Sequence, residues 1–226
     1  MRIAIIASAR TRSTLLMHYI HARDRSLKLH YEYYTYALKE GFNNLREITN
    51  QLICQNDYIV KIMGHNLNPI GSTPADLKLR EYDKIYLVER SDFFDQCCSL
   101  QVCVNTNIWH RRIRNTSLTE KYHEVQKSKL NLEIPTIISI VNDVANYLSI
   151  KKYLISNQLS FTTLSYEELE KYGKYQQVLA NNNLAYSDII TNYSLKNKIN
   201  ELANKCFSFS NAEYDLDSFI AGVSDG

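Results

Sequence analysis

The chain has 226 residues, 45% of them hydrophobic, with a mean hydropathy of -0.33; this suffices for one sizeable core and is short for two full domains. Its 26 basic and 24 acidic residues leave a formal charge of +2, so no strong overall field draws in nucleic acid or an anionic membrane, and any anion binding must come from local placement. No run reaches the roughly 18 apolar residues of a membrane span, Ile3 to Ile6 is too short for a signal-peptide core, and five cysteines without C-x-x-C spacing argue against a disulfide framework or a zinc knuckle. One domain over residues 1–226, soluble and cytoplasmic, is the expectation.

The mostly apolar run Ile3 to Ser8 breaks into Arg10-Thr11-Arg12-Ser13-Thr14 and then Leu15-Leu16, the pattern of a strand delivering its carboxyl end into the start of a helix. Backbone N–H groups, the Ser13 and Thr14 hydroxyls and two guanidinium groups are then expected to face one point and make an anion site. Taken alone, such a basic turn also fits a solvated surface turn. Further apolar runs at Tyr58–Met63, Lys84–Val88 and Leu159–Leu164 predict strands. Helical patterns between and after them cover Thr14–Arg23, Tyr36–Gln55, Asp92–Asn105, Pro135–Asn157, Tyr166–Tyr172 and Leu195–Lys205. Pro135 fits a first-turn position, and Ser165 and Ser91 or Asp92 fit N-caps. This alternation predicts an α/β fold with a central, mainly parallel sheet flanked by helices in three layers. Residues 107–131 read as a loop excursion, Asn181-Asn182-Asn183 as a turn, and 212–226 as a loose tail.

The loop after the first strand is not a nucleoside-triphosphate P-loop of the form G-x-x-x-x-G-K-[ST], nor a G-x-G-x-x-G turn, because no glycine precedes Gly41. Ala9 to Leu16 instead resembles the phosphosulfate-binding loop, P-R-[ST]-G-[ST]-T-x-L, of sulfotransferases that use 3′-phosphoadenosine-5′-phosphosulfate (PAPS). Ala9 replaces its proline and Arg12 its glycine. Lys84 to Leu100 is similar to a second family element, L-x-R-x-D-x-x-x-Q-A-x-S-L, of the bacterial trehalose-sulfotransferase-like branch, matched by Arg90, Asp92, Gln96, Ser99 and Leu100. Tyr58–Met63 resembles that branch's G-V-K-L/M strand, Asn107–His110 its G-x-W-H, and Thr163–Leu169 its Y-E-D-L segment. The ordered set covers about residues 1 to 170, and the P-loop-type three-layer fold follows as an implication.

By that resemblance, Arg10 steadies the leaving phosphate, while Thr11, Arg12, Ser13 and Thr14 hold its oxygens or add contacts. Arg90 and Ser99 grip the nucleotide's 3′-phosphate, and Tyr166 lies against its adenine. Glu32, within Glu32-Tyr33-Tyr34, matches a pattern like P-x-E-[FY]-[FY] and is the candidate general base, with a plain surface carboxylate as the alternative. His30, His65 and His110 are reserves, and Lys61 binds sulfonate or acceptor or else snorkels from a strand end. The implied activity is PAPS-dependent sulfuryl transfer, with PAP (the desulfated nucleotide) as product. The acceptor is a hydroxyl of a carbohydrate, small metabolite or lipid, gathered by the Tyr33–Gln55 and Asn107–Lys129 segments. The scheme requires no metal, and no metal-ligand cluster stands in the sequence. A P-loop nucleotide kinase-like enzyme using ATP and a non-catalytic nucleotide-binding protein remain the alternatives.

Overall fold

The computed structural model describes residues 1–42, 44–68, 71–106, 129–170 and 190–224. Five strands, β1 (Arg2–Ala7), β2 (Lys28–His30), β3 (Tyr58–Met63), β4 (Lys84–Glu89) and β5 (Thr162–Ser165), form one parallel sheet in the order β2-β3-β1-β4-β5. The near-continuous apolar runs of β1, β3 and β4 suit strands covered on both faces. Side chains alternate along β1. Ala4 and Ile6 join one core, and Ile3, Ile5 and Ala7 join a second with Leu15, Leu16 and Met17 of helix α1 (Ser13–Arg23). The first core takes in α3 (Leu45–Ile53), α4 (Phe93–Thr106) and α5 (Ile134–Ser156) through Ile48, Phe94, Ile140 and their neighbours. The chain is thus α/β, with a central parallel sheet flanked by helices.

Strand order sets where a site can form. From β1 the chain runs outward to β2 at one edge, while from β4 it runs to β5 at the other. The crevice beyond the carboxyl ends of β1 and β4 is therefore the topological switch point, where open α/β sheets bind ligands. Both basic motifs, the Arg10–Thr14 turn and Arg90, leave the sheet there.

Two expectations need correction, and one strand escaped them. The single helix over Tyr36–Gln55 is two, α2 (Tyr33–Lys39) and α3. The chain breaks at Gly41, whose φ of 99° is open to glycine, and Asn44 restarts it by accepting the Arg46 N–H at 2.8 Å. Strand β2 was not anticipated, because three residues are too few to show an alternation. The tail is not loose: β6 (Phe207–Ser208) pairs with β7 (Glu213–Tyr214), and a helix, Leu216–Ser224, buries Phe219 against Phe93 and Phe207. Of the remaining segments, α6 (Tyr166–Glu170) and α7 (Leu195–Cys206) form where expected, and the tail helix is α8. Ser165 caps α6 through a capping box, accepting the Glu168 N–H at 3.1 Å while Glu168 accepts the Ser165 N–H at 2.7 Å. Asp92 caps α4 by accepting the Asp95 N–H at 2.9 Å. Residues 107–128, including Trp109 and His110, and Asn181–Asn183 lie outside the described residues. Among the described residues no helix is long and apolar enough to cross a membrane.

Candidate functional site

Arg10 and Arg12 both adopt the left-handed backbone conformation, with φ of 64° and 62°. Arg12 is the N-cap of α1 and supplies no side-chain cap. The position at which the resemblance places a glycine thus keeps a glycine-like backbone with an arginine in it, at a cost of about 1–2 kcal/mol. The turn is held from three sides. Thr11 Oγ1 donates to the Ser8 carbonyl at 2.9 Å, Gln96 Nε2 of α4 donates to Ser8 Oγ at 2.9 Å and to the Ala9 carbonyl, and Asp143 of α5 accepts the Ala9 N–H. Such support is what a strained functional turn requires.

Five of the sequence-predicted residues converge on this turn. Arg10 Nε donates to Ser99 Oγ at 2.9 Å. Arg90, buried at the end of β4, donates to the Arg10 carbonyl at 3.0 Å and pairs with Asp95. The guanidinium carbons of Arg12 and Arg90 each lie 4.0 Å from the centre of the Tyr166 ring, a cation–π arrangement worth about 0.5–2 kcal/mol per pair. Burial pushes the Arg90 guanidinium below its ordinary pKa; Tyr166 and Asp92 oppose this, and the neighbouring charges of Arg12 and Arg10 add to it. Three arginines crowded this closely repel one another, and a bound anion relieves the repulsion. Arg90 Nε is buried and makes no hydrogen bond among the described residues, so the cluster retains a donor that a ligand can satisfy.

The remaining predicted residues divide. The Thr11 hydroxyl is turned inward onto Ser8, and Ser13 is buried in the first turn of α1. Thr14 faces a second polar group. Lys61 shares a strand face with Ile59 and Met63, beneath α1, and is only 4% exposed. Its Nζ lies 3.3 Å from Thr14 Oγ1 and pairs with Glu32 Oε1, which settles it as a buried ion-pair partner rather than a snorkelling surface lysine. Glu32 Oε2 accepts from Thr35 Oγ1 at 3.3 Å. Glu32 is therefore linked through Lys61 to the Arg10–Thr14 turn.

Glu32 also lines a cleft of about 370 Å³, walled by His30, Tyr31, Tyr33, Tyr36 and Phe42. Burial lowers the His30 pKa, an effect that Gln55 opposes and Lys28 reinforces, so the imidazole facing this cleft is held neutral near pH 7. Tyr36 is 61% exposed at the cleft, whereas Tyr34 is wholly buried and shares 3.3 Å contacts with the Tyr82 and Thr49 hydroxyls. Burial pushes the Tyr34 phenol up and that of neighbouring Tyr58 up to about 12. Those tyrosines are core.

Two site residues escaped the sequence reading. Asp95 neutralises Arg90. Asp143 receives the Ala9 and His65 backbone N–H groups and lies 3.0 Å from His65 Nδ1. A signal for Asp143 existed: it interrupts the apolar stripe Ile140, Val144, Tyr147 of the longest helix, where a carboxylate costs several kcal/mol unless paired. Comparison of the chain with protein families, with curated proteins and with solved structures found no match.

Proposed function

We propose that the protein is a sulfotransferase that moves a sulfuryl group from PAPS to a hydroxyl of a carbohydrate, small metabolite or lipid. The observation that carries this reading is the gathering of Arg10, Arg12 and Arg90, with Ser99 and Tyr166, at the switch point of the sheet. Like-charge repulsion among the arginines and an unsatisfied buried donor fit an anionic nucleotide. The order of the motifs, a basic turn after β1 and an arginine after β4 followed by a serine on the next helix, supports PAPS in particular and a P-loop-type scaffold for it.

PAPS, when bound, supplies a sulfuryl group activated by its link to phosphate. The chain's own work is positioning and charge stabilisation. Arg10, Arg12 and the first turn of α1 hold negative charge, and Lys61 brings an ammonium group to Thr14. Arg90 and Ser99 are assigned to the 3′-phosphate and Tyr166 to the adenine. Glu32 is assigned as the base, standing between Lys61 and the tyrosine-lined cleft, which is the natural seat for the acceptor. Both its oxygens are engaged, Oε1 by Lys61 and Oε2 by Thr35. The Thr35 contact, at 3.3 Å, is the longer and weaker, so the acceptor hydroxyl replaces Thr35 there and gives its proton to Oε2.

The test is a calorimetric titration with PAP beside adenosine 5′-phosphate and Mg-ATP, repeated with Arg90→Ala. Tight binding of PAP alone is expected, and Arg90→Ala is expected to weaken PAP by about 1.5–3 kcal/mol and adenosine 5′-phosphate much less. Preference for Mg-ATP would instead indicate the kinase-like reading. PAP binding with no sulfuryl transfer from PAPS to any acceptor would indicate a non-catalytic nucleotide-binding protein.

A further inference from the structure

His65 follows β3 as the anion turn follows β1, and the two lie side by side: Met63 pairs with Ala7, so Gly64 and Ser8 leave the sheet together. Asp143 clamps both. One carboxylate oxygen receives the Ala9 N–H, and the other receives the His65 N–H and faces His65 Nδ1 at 3.0 Å. Gly64 makes this approach possible, since a Cβ there would stand 1.9 Å from the Asp143 carbonyl oxygen. Asp143 is 3% exposed, and His65 is its one ion-pair partner among the described residues. The imidazole is 40% exposed, and Nε2 makes no hydrogen bond there.

This geometry fixes the chemistry of the open nitrogen. A carboxylate accepts only, so Nδ1 carries a proton whatever the charge of the ring. Nε2 is then a lone pair in the neutral ring and an N–H donor in the charged one. The first repels an anion and the second binds it. We infer that His65 is a proton-gated ligand of the anion turn, positioned by Asp143: as imidazolium it donates from Nε2 and adds its charge to the arginine cluster, and as neutral imidazole it withdraws both. This rests on the anion site of the proposed function but not on the nucleotide assigned to it.

The charged groups facing His65 are Asp143 from α5, Glu32 from the segment before α2, and Lys61 from β3. Burial pushes the imidazole down. The hydrogen bond and charge of Asp143, helped by Glu32, outweigh burial and the opposing Lys61 and leave the pKa raised above 6.5. Charged His65 is therefore the form populated below that raised value, and anion affinity is expected to fall as pH rises through it.

Sulfate is a suitable probe because its own charge does not change across this range. Calorimetric titrations at constant ionic strength between about pH 5.5 and 9 are expected to show sulfate bound at least about fivefold more weakly at the alkaline end. His65→Gln should remove that dependence and stay at the weak level throughout. In Asp143→Asn the His65 titration, followed by NMR, should move to lower pH, and the fall in sulfate affinity should move with it. If Asp143→Asn fails to fold, His65→Gln decides alone, its fold checked by circular dichroism. Affinity that is flat with pH in the wild type, pH dependence that survives in His65→Gln, or no sulfate binding at any pH would overturn the inference. Proton-gated sulfate binding together with no affinity for PAP would sustain it while rejecting the nucleotide reading.

Discussion

Arg12 carries a left-handed backbone without glycine's freedom, so its side chain must supply something that glycine cannot. Its guanidinium lies over Tyr166, as does that of Arg90, which places it in the arginine cluster. Arg12→Gly is expected to relieve the strain, but the lost cation–π contact with Tyr166 and the larger entropy of a glycine chain when unfolded offset that gain, so stability should change by no more than about 1 kcal/mol. It should weaken sulfate binding at the same time. Denaturant unfolding beside a sulfate titration checks both effects. Glu32 behaves differently because it neutralises the buried Lys61. Glu32→Gln leaves that ammonium group uncompensated next to Thr14, so PAP affinity should hold or rise while turnover with an accepted hydroxyl falls roughly 100-fold or more. Titration and steady-state rates separate the two effects. Arg10, Arg90, Ser99 and Glu32 were legible as candidates from motif order; the Lys61–Glu32 pair and Asp143 were not, since their partners come from strands and helices remote in sequence.

Among the elements, α5 does most to join the site to the core. Its Pro135 start was readable, as was its length, because proline fits the first helical turn and the apolar pattern, interrupted at Asp143, continues to Leu154. Its placement against the turn after β3 was not, and that contact is where Gly64 meets the Asp143 backbone. Gly64→Ala is therefore expected to push the Gly64–Leu67 turn away from α5, costing about 1–3 kcal/mol, and to loosen the His65–Asp143 contact. The unfolding midpoint reads the first effect, and a lower His65 titration midpoint reads the second. The split between α2 and α3 follows from a single glycine and an asparagine cap, signals that the surrounding helical periodicity masked.

Across the whole molecule the C-terminal segment closes the fold. Phe219 of α8 lies against Phe93 and Phe207 with ring centres 5.4 Å away in each case, and Phe93 opens the helix that carries Gln96 and Ser99. Lys151 of α5 adds a buried link, pairing with Glu89 at 2.7 Å and donating to the Phe209 carbonyl. Phe219→Ala is expected to destabilise the protein by about 3–5 kcal/mol, measured by denaturant unfolding. A tail that was truly loose would show almost no change. Its acidic, mixed composition hid one apolar stripe, too short to outweigh the polar residues around it.

What the amino-acid sequence determined by itself was local. Apolar runs specified four strands of a parallel sheet, caps and a proline specified helix starts, and basic residues stood out after two of the strands. Each depends on residues adjacent in the chain, where backbone preference and hydrophobic period act directly. Only the tertiary structure decided the strand order that brings those basic residues together, the placing of Arg12 and Arg90 over Tyr166, and the single carboxylate that ties Ala9 to His65. Those are meetings between groups tens of residues apart, and they are governed by how the layers pack, which no local pattern encodes.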